Sequence, residues 1–143
     1  MSSKLSYVNT GDDYVPMERI YLDRLFSVVN VAPSKKLIDL GSGDGRVVVE
    51  ALKQGIDAIG CEIDPTRAQL SRKNIGDAGY IANIIESDFM TIDWSLYDVL
   101  TLNLDPTEEN KTAILAKWGV NKKKNARLIW MNGTHENPFI TYT

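Results

Sequence analysis

Residues 37–48 read LIDLGSGDGRVV: an apolar run, three glycines at alternate positions with an acid between two of them, then apolar residues again. A strand that breaks into glycines and resumes as a helix is the opening unit of an α/β sheet, and a loop of that kind holds its ligand against the backbone. The chain on either side continues the alternation. Apolar runs at 36–40, 58–63, 80–85, 98–104 and 126–131 have strand length. Between them lie helical segments at 46–54, at 65–78 behind the Asp64-Pro65 cap, and from Pro106 to about 118. The second Asp-Pro step, Asp105-Pro106, repeats the capping device, with Glu108 at the capping-box position. A further helix is expected from Pro16, with Ile20, Leu22, Leu25, Phe26 and Val29 on its apolar face. Near-continuous apolar strands belong to a parallel sheet covered on both faces. The expectation is therefore a doubly wound, Rossmann-like α/β fold over residues 14–143, preceded by a polar mobile tail at 1–13, with ligands beyond the carboxyl ends of the strands.

Three ligand classes compete for the glycine loop. A P-loop needs a lysine followed by Ser or Thr, and none stands here. A dinucleotide loop needs a third small residue where helix and strand pack closely, and that place holds Arg46. Acids flank the loop at Asp39 and Asp44, and carboxylates repel a pyrophosphate while favouring a cation. S-adenosylmethionine carries an ammonium and a sulfonium and no phosphate, and its carboxylate suits the N–H groups at the start of the Arg46 helix. In that reading Asp39 takes the ammonium, and Gly41, Ser42, Gly43 and Gly45 bring backbone close to the methionine part. Glu62, with Ile63 beside it, stands 21 residues beyond Gly41 and suits the ribose hydroxyls. Asp88 suits the adenine amino group, with Phe89 against the ring. Taken singly, each acid is equally well a cap or a turn residue, and Asp64, a rival for the ribose, fits its helix cap better.

Composition narrows the partners. The 143 residues are 43% apolar and 24% charged, and the net charge is −3, with a pI near 5.1. Such a chain has no broad attraction for nucleic acid or anionic membrane. Lys122-Lys123-Lys124 is the one basic run, and it reads as a solvated loop. No apolar stretch has the length of a membrane span. A single cysteine, Cys61, excludes an internal disulfide and suits a reducing cytoplasm. No cluster of metal ligands is visible, since His135 and Cys61 each stand alone.

Together, DLGSGDGRVV, GCEIDP and ESDFM resemble the cofactor motifs of class I, seven-strand S-adenosylmethionine-dependent methyltransferases, over residues 37–104. Tyr14-Val15-Pro16 with Asp39 to Arg46 is similar to the YVP segment and glycine loop of small archaeal protein lysine methyltransferases and their mitochondrial relatives. The segment LTLNLD is similar to the place where histone lysine methyltransferases of this fold set an asparagine beside the transferable methyl. The resemblance thus implies Asn103 as a catalytic and cofactor-side residue, and a protein lysine as acceptor. It also implies a closing antiparallel hairpin, for which residues 132–143 leave little chain. A short or incomplete hairpin is expected, with a partner or a second copy as candidates to complete the sheet.

Methyl transfer is an in-line displacement at carbon, so positioning is most of what a protein supplies. A lysine nucleophile must be neutral, and a dry aromatic channel lowers its pKa by desolvation. Tyr14, Trp94, Phe89 and Trp130 are candidate walls, although most of them are equally well core residues, and Tyr14 is the best candidate, on a lid over the cofactor. His135 could accept a proton at the carboxyl edge, although a surface turn is its simpler reading. A base-methylating enzyme of this fold would show [ND]-P-P-[YFW] where this chain has Asn103-Leu104-Asp105-Pro106-Thr107, so a flipped-base pocket lacks support. A cofactor-binding subunit without catalysis remains the alternative of a different kind, with a nucleotide-dependent oxidoreductase behind it.

Overall fold

A computed structural model of the chain describes residues 17–105 and 107–143; the tail, Tyr14 and Pro106 lie outside the described residues. The chain runs α1 (Arg19–Val29), β1 (Lys36–Leu40), α2 (Arg46–Lys53), β2 (Asp57–Cys61), α3 (Pro65–Asp77), β3 (Ile84–Ile85), two 3-10 turns (Phe89–Thr91 and Trp94–Leu96), β4 (Val99–Leu102), α4 (Glu108–Asn121), β5 (Arg127–Trp130) and β6 (Ile140–Tyr142). The six strands form one sheet in the order β3-β2-β1-β4-β5-β6. All neighbouring pairs are parallel except β5 and β6, which are antiparallel. The expected doubly wound α/β architecture is therefore present, and residues 132–143 supply one closing strand rather than two.

Two cores sandwich the sheet, and the two-residue period of the strands assigns each side chain to one of them. Leu37, Val99 and Ile129 join α1 and α2 in one core. Ile38, Leu40, Leu100, Leu102, Leu128 and Trp130 join α4 and the 3-10 turns in the other. Each fully buried Leu or Ile contributes roughly 1.5–3 kcal/mol over its exposed state. The same alternation turns Asp39 and Thr101 to one face, and the β1–β4 register sets them side by side.

Several expected boundaries move. The third strand shrinks from 80–85 to Ile84–Ile85, because the Tyr80 N–H closes the end of α3 on the Ile75 carbonyl and only Gly60 and Cys61 pair with the strand. The cap of α4 is Thr107, whose hydroxyl accepts the Asn110 N–H at 3.1 Å. Asp105 is thus not the cap, and Glu108 opens the helix instead of closing a capping box. That helix runs three residues past Trp118, to Asn121. The Asp64-Pro65 cap of α3 forms as read, with Asp64 accepting the Arg67 N–H at 2.9 Å.

Candidate functional site

The glycine loop leaves β1 and crosses the end of β2, where the N–H groups of Gly41 and Ser42 both donate to the Cys61 carbonyl at 2.7 and 2.9 Å. Gly41 is exposed, with φ at +82° and nothing within 4 Å of where a Cβ would stand, so the backbone there is open to a ligand. Gly45 faces the opposite constraint. Its φ is +87°, and a Cβ would lie 3.1 Å from the Ser71 backbone of α3. Helix α3 pins the loop from beneath. The Ser71 hydroxyl donates to the Gly43 carbonyl at 2.8 Å and lies 3.1 Å from that of Ser42, while the Asn74 amide donates to the Asp44 carbonyl at 2.8 Å. Reading by sequence missed Ser71 and Asn74, because a helix one crossover away carries no mark of what it will touch.

The acids divide into three roles. Glu62, only 2% exposed, accepts the Gly43 N–H at 2.8 Å on one oxygen and the Asp64 N–H at 3.0 Å on the other. It locks the loop to the end of β2 and retains lone pairs for ribose hydroxyls. Asp39 is 4% exposed and accepts the Thr101 hydroxyl at 2.7 Å. Burial pushes its carboxyl up to about 8, against the Thr101 hydrogen bond and with the help of Glu62 and Asp44. Asp44 turns away from the ligand edge. Its carboxylate holds the Arg46 side chain and accepts the Arg46 N–H at 3.2 Å, and Arg46 donates onward to the Met17 carbonyl at 2.8 Å. Asp44 thus takes one of the helix N–H groups that the sequence reading offered to a ligand carboxylate. Asp88 is half-buried and caps the first 3-10 turn through the Met90 N–H at 2.9 Å.

Some candidates fall elsewhere. Phe89, Trp94 and Trp130 are 5%, 0% and 0% exposed and share a core, so they do not wall an open channel. The Trp94 and Trp130 indoles donate to the Phe89 and Leu104 carbonyls, fixing the segments behind Asp88 and Asn103. Asn103 is exposed just past β4, and Ile63 is half-buried just past β2. His135 is exposed, in a loop whose imidazole lies 3.4 Å from the Tyr21 hydroxyl, the surface placement that was its simpler reading. Burial raises the Cys61 thiol to about 12, which makes it inert. A cavity of about 310 Å³ between α1 and α2, lined by Met17, Leu22, Arg46, Val49 and Glu50 among others, includes neither Asp39 nor Glu62. Among the described residues no three His, Cys, Asp or Glu side chains gather to hold a metal, and no helix is long and apolar enough to cross a membrane.

The chain is similar to three known methyltransferases. The protein-lysine N-methyltransferase of Saccharolobus islandicus (strain REY15A) is 32% identical over 95 residues, 64% of this chain and 59% of the relative. A human lysine N-methyltransferase named for ATP synthase is 38% identical over 63 residues, 43% of this chain and 27% of that protein. The chain therefore spans less than two thirds of either. The crystal structure of an RNA methyltransferase from Salinibacter ruber, in complex with S-adenosyl-L-homocysteine, superposes with a TM-score of 0.73 at 30% identity, covering 81% of this chain and 76% of that one. The model of the family described as histone methylation protein DOT1 matches residues 7–97. With that match over most of its length and this sheet order and loop, the chain belongs to the DOT1 family of the class I S-adenosylmethionine-dependent methyltransferases.

Proposed function

We propose that this protein transfers a methyl group from S-adenosylmethionine to the side-chain amine of a protein lysine. The observation that carries the reading is the acidic carboxyl edge, where Asp39, Glu62 and Asp88 stand behind three neighbouring strands with no ion pair to a lysine or arginine among the described residues. Such an edge suits a cationic cofactor and draws in a cationic acceptor, and it repels a phosphate backbone. When bound, the cofactor supplies an electrophilic methyl carbon on a sulfonium.

The chain's own residues do the rest. Gly41, Ser42, Gly43 and Gly45 shape the backbone cradle, Asp39 meets the ammonium, Glu62 with Ile63 the ribose, and Asp88 the adenine amino group. Phe89 acts from the core by holding the turn that presents Asp88. Asn103, exposed at the mouth, offers a side-chain carbonyl to an acceptor N–H, and so orients the nitrogen lone pair. Tyr14 keeps the lid role assigned from sequence. The relatives named for lysine methylation favour this acceptor, and the single buried thiol accords with a cytoplasmic setting.

A second reading, methylation of RNA, is favoured by the Salinibacter ruber likeness. Against it, Leu104 and Asp105 stand where a base-methylating motif has its two prolines, and Pro106 stands where that motif has its aromatic residue. The discriminating experiment incubates the protein with radiolabelled S-adenosylmethionine and cell extract, then splits the product between protease and ribonuclease digestion. Label is expected on protein lysine by mass spectrometry, and label confined to RNA would reverse the choice of acceptor.

A further inference from the structure

Thr101 is the one polar residue in the buried strand β4, and no step assigned so far uses it. It is 1% exposed, and its hydroxyl is given to Asp39 at 2.7 Å. The groups around Asp39 are few. The end of β2 brings Glu62 and the Cys61 thiol, and the glycine loop brings Asp44. On α2, Arg46 is bound to Asp44, Glu50 to Arg19, and Lys53 is exposed. From β4 comes only the Thr101 hydroxyl. Among the described residues, then, Asp39 has no ion-pair partner, and its nearest ionisable neighbours on the sheet's edge are acids. A buried carboxylate in that position is costly unless it keeps a proton or gains a cation.

We infer that cofactor binding expels a proton that the free protein holds on Asp39, and that Thr101 is the positioning residue that sets how readily Asp39 gives it up. The inference rests on Asp39 meeting the cationic end of S-adenosylmethionine. In the step, the carboxylic O–H bond breaks, the proton passes to solvent, and the carboxylate left behind pairs with the ammonium. Nothing is oxidised or reduced. Burial without a counter-ion among the described residues holds the proton on Asp39 at neutral pH, its carboxyl being pushed up to about 8. The Thr101 hydroxyl donates to the ionised form and so pulls the titration down; without it, burial and the neighbouring acids act unopposed. Parallel register makes this a built feature, since Asp39 and Thr101 are direct partners across β1 and β4.

Two measurements on the whole chain test this. Calorimetric titration with S-adenosylmethionine at pH 7, in buffers of unlike ionisation enthalpy, should show about one proton released per molecule bound, and affinity should rise roughly tenfold per pH unit between about pH 5 and 7. Carboxyl-carbon NMR of the free protein should show one carboxyl titrating near pH 8. That signal should be absent in Asp39→Asn, shifted to higher pH in Thr101→Val, and returned towards its original position in Thr101→Ser. A Thr101 that merely packs would leave the titration where it is. Binding heat that is the same in every buffer, or an unmoved midpoint in Thr101→Val, would overturn the inference while leaving the cofactor assignment standing. No binding at all by the native chain would overturn both.

Discussion

The carboxyl edge of the sheet has two halves built to different standards. On the β1–β2 side, the glycine loop is held from below by Ser71 and Asn74, from the side by Glu62, and from the front by the Asp44–Arg46 pair. On the β4–β5 side, Asn103 and Asp105 are exposed, and the buried side-chain oxygens of Asn110 and Asn132 have no hydrogen-bond partner. Buried polar groups left unpaired are uncommon and costly. The difference teaches that the half assigned to the cofactor is tied together by a network of side chains from β2, α2 and α3, whereas the half assigned to the acceptor keeps exposed side chains and buried amide oxygens that no described residue pairs.

The comparison breaks most readily at Glu62. Glu62→Ala removes the hydrogen bonds to the Gly43 and Asp64 N–H groups and is expected to weaken S-adenosylmethionine binding by at least about 100-fold, at about 2.7 kcal/mol per 100-fold, while the fold persists. Isothermal calorimetry with circular dichroism reads both. A variant that binds as the native chain does would mean that the pocket lies elsewhere.

Gly45→Ala comes next. It places a Cβ against Ser71 in a left-handed conformation, and a loss of roughly 1–3 kcal/mol in unfolding free energy is expected from urea titration. The same change at Gly41 has open space around it and should cost less stability. Equal losses at the two glycines would remove the contrast drawn between them.

Asn103→Ala should act on the other half alone. It is expected to lower kcat by about tenfold, about 1.4 kcal/mol of transition-state stabilisation, and leave cofactor affinity unchanged. A fall in affinity with unchanged kcat would move Asn103 to the donor side and sharpen the boundary between the halves.

The smallest effect concerns stability against pH. Because the folded state holds Asp39 protonated up to about 8, it binds more protons than the unfolded chain between about 4 and 8, and stability from this group falls as pH rises through that window. Asp39→Asn removes that dependence. The free variant should melt higher than the native chain at pH 9, although it has lost a binding group. Melting curves of both proteins at pH 5 and pH 9 provide the check, and an Asp39→Asn variant that melts below the native chain at pH 9 would count against an ionised, unpaired Asp39.

Much of this was legible in one dimension, because the signals are local. The strand–glycine–helix unit, the Asp64-Pro65 cap and the apolar runs each express a backbone preference or a burial period within ten residues. Glu62 and Asp88 could be placed because strand ends in a parallel sheet share one edge, so position along the chain stands in for position in space. What failed or stayed open were judgements about partners. For Phe89, Trp94 and Trp130 core and channel wall were equally good readings, and packing placed them in the core, because an aromatic residue is core or wall according to what covers it. Asp44 was counted among the acids facing the ligand, and its bond to Arg46, two residues on, turned it inward. The cap of α4 fell to Thr107, since Asp105 and Thr107 are both good capping types and only the path of the chain chooses between them.

From its residues alone, this protein was bound to make a covered parallel sheet with a phosphate-averse glycine loop at its leading edge, since those outcomes follow from periodicity and charge. Which groups meet across that edge was settled by packing. Thr101 lies 62 positions from Asp39 and Ser71 lies 28 from Gly43, and each pair forms only because strand register and a crossover helix bring its members to within one hydrogen bond.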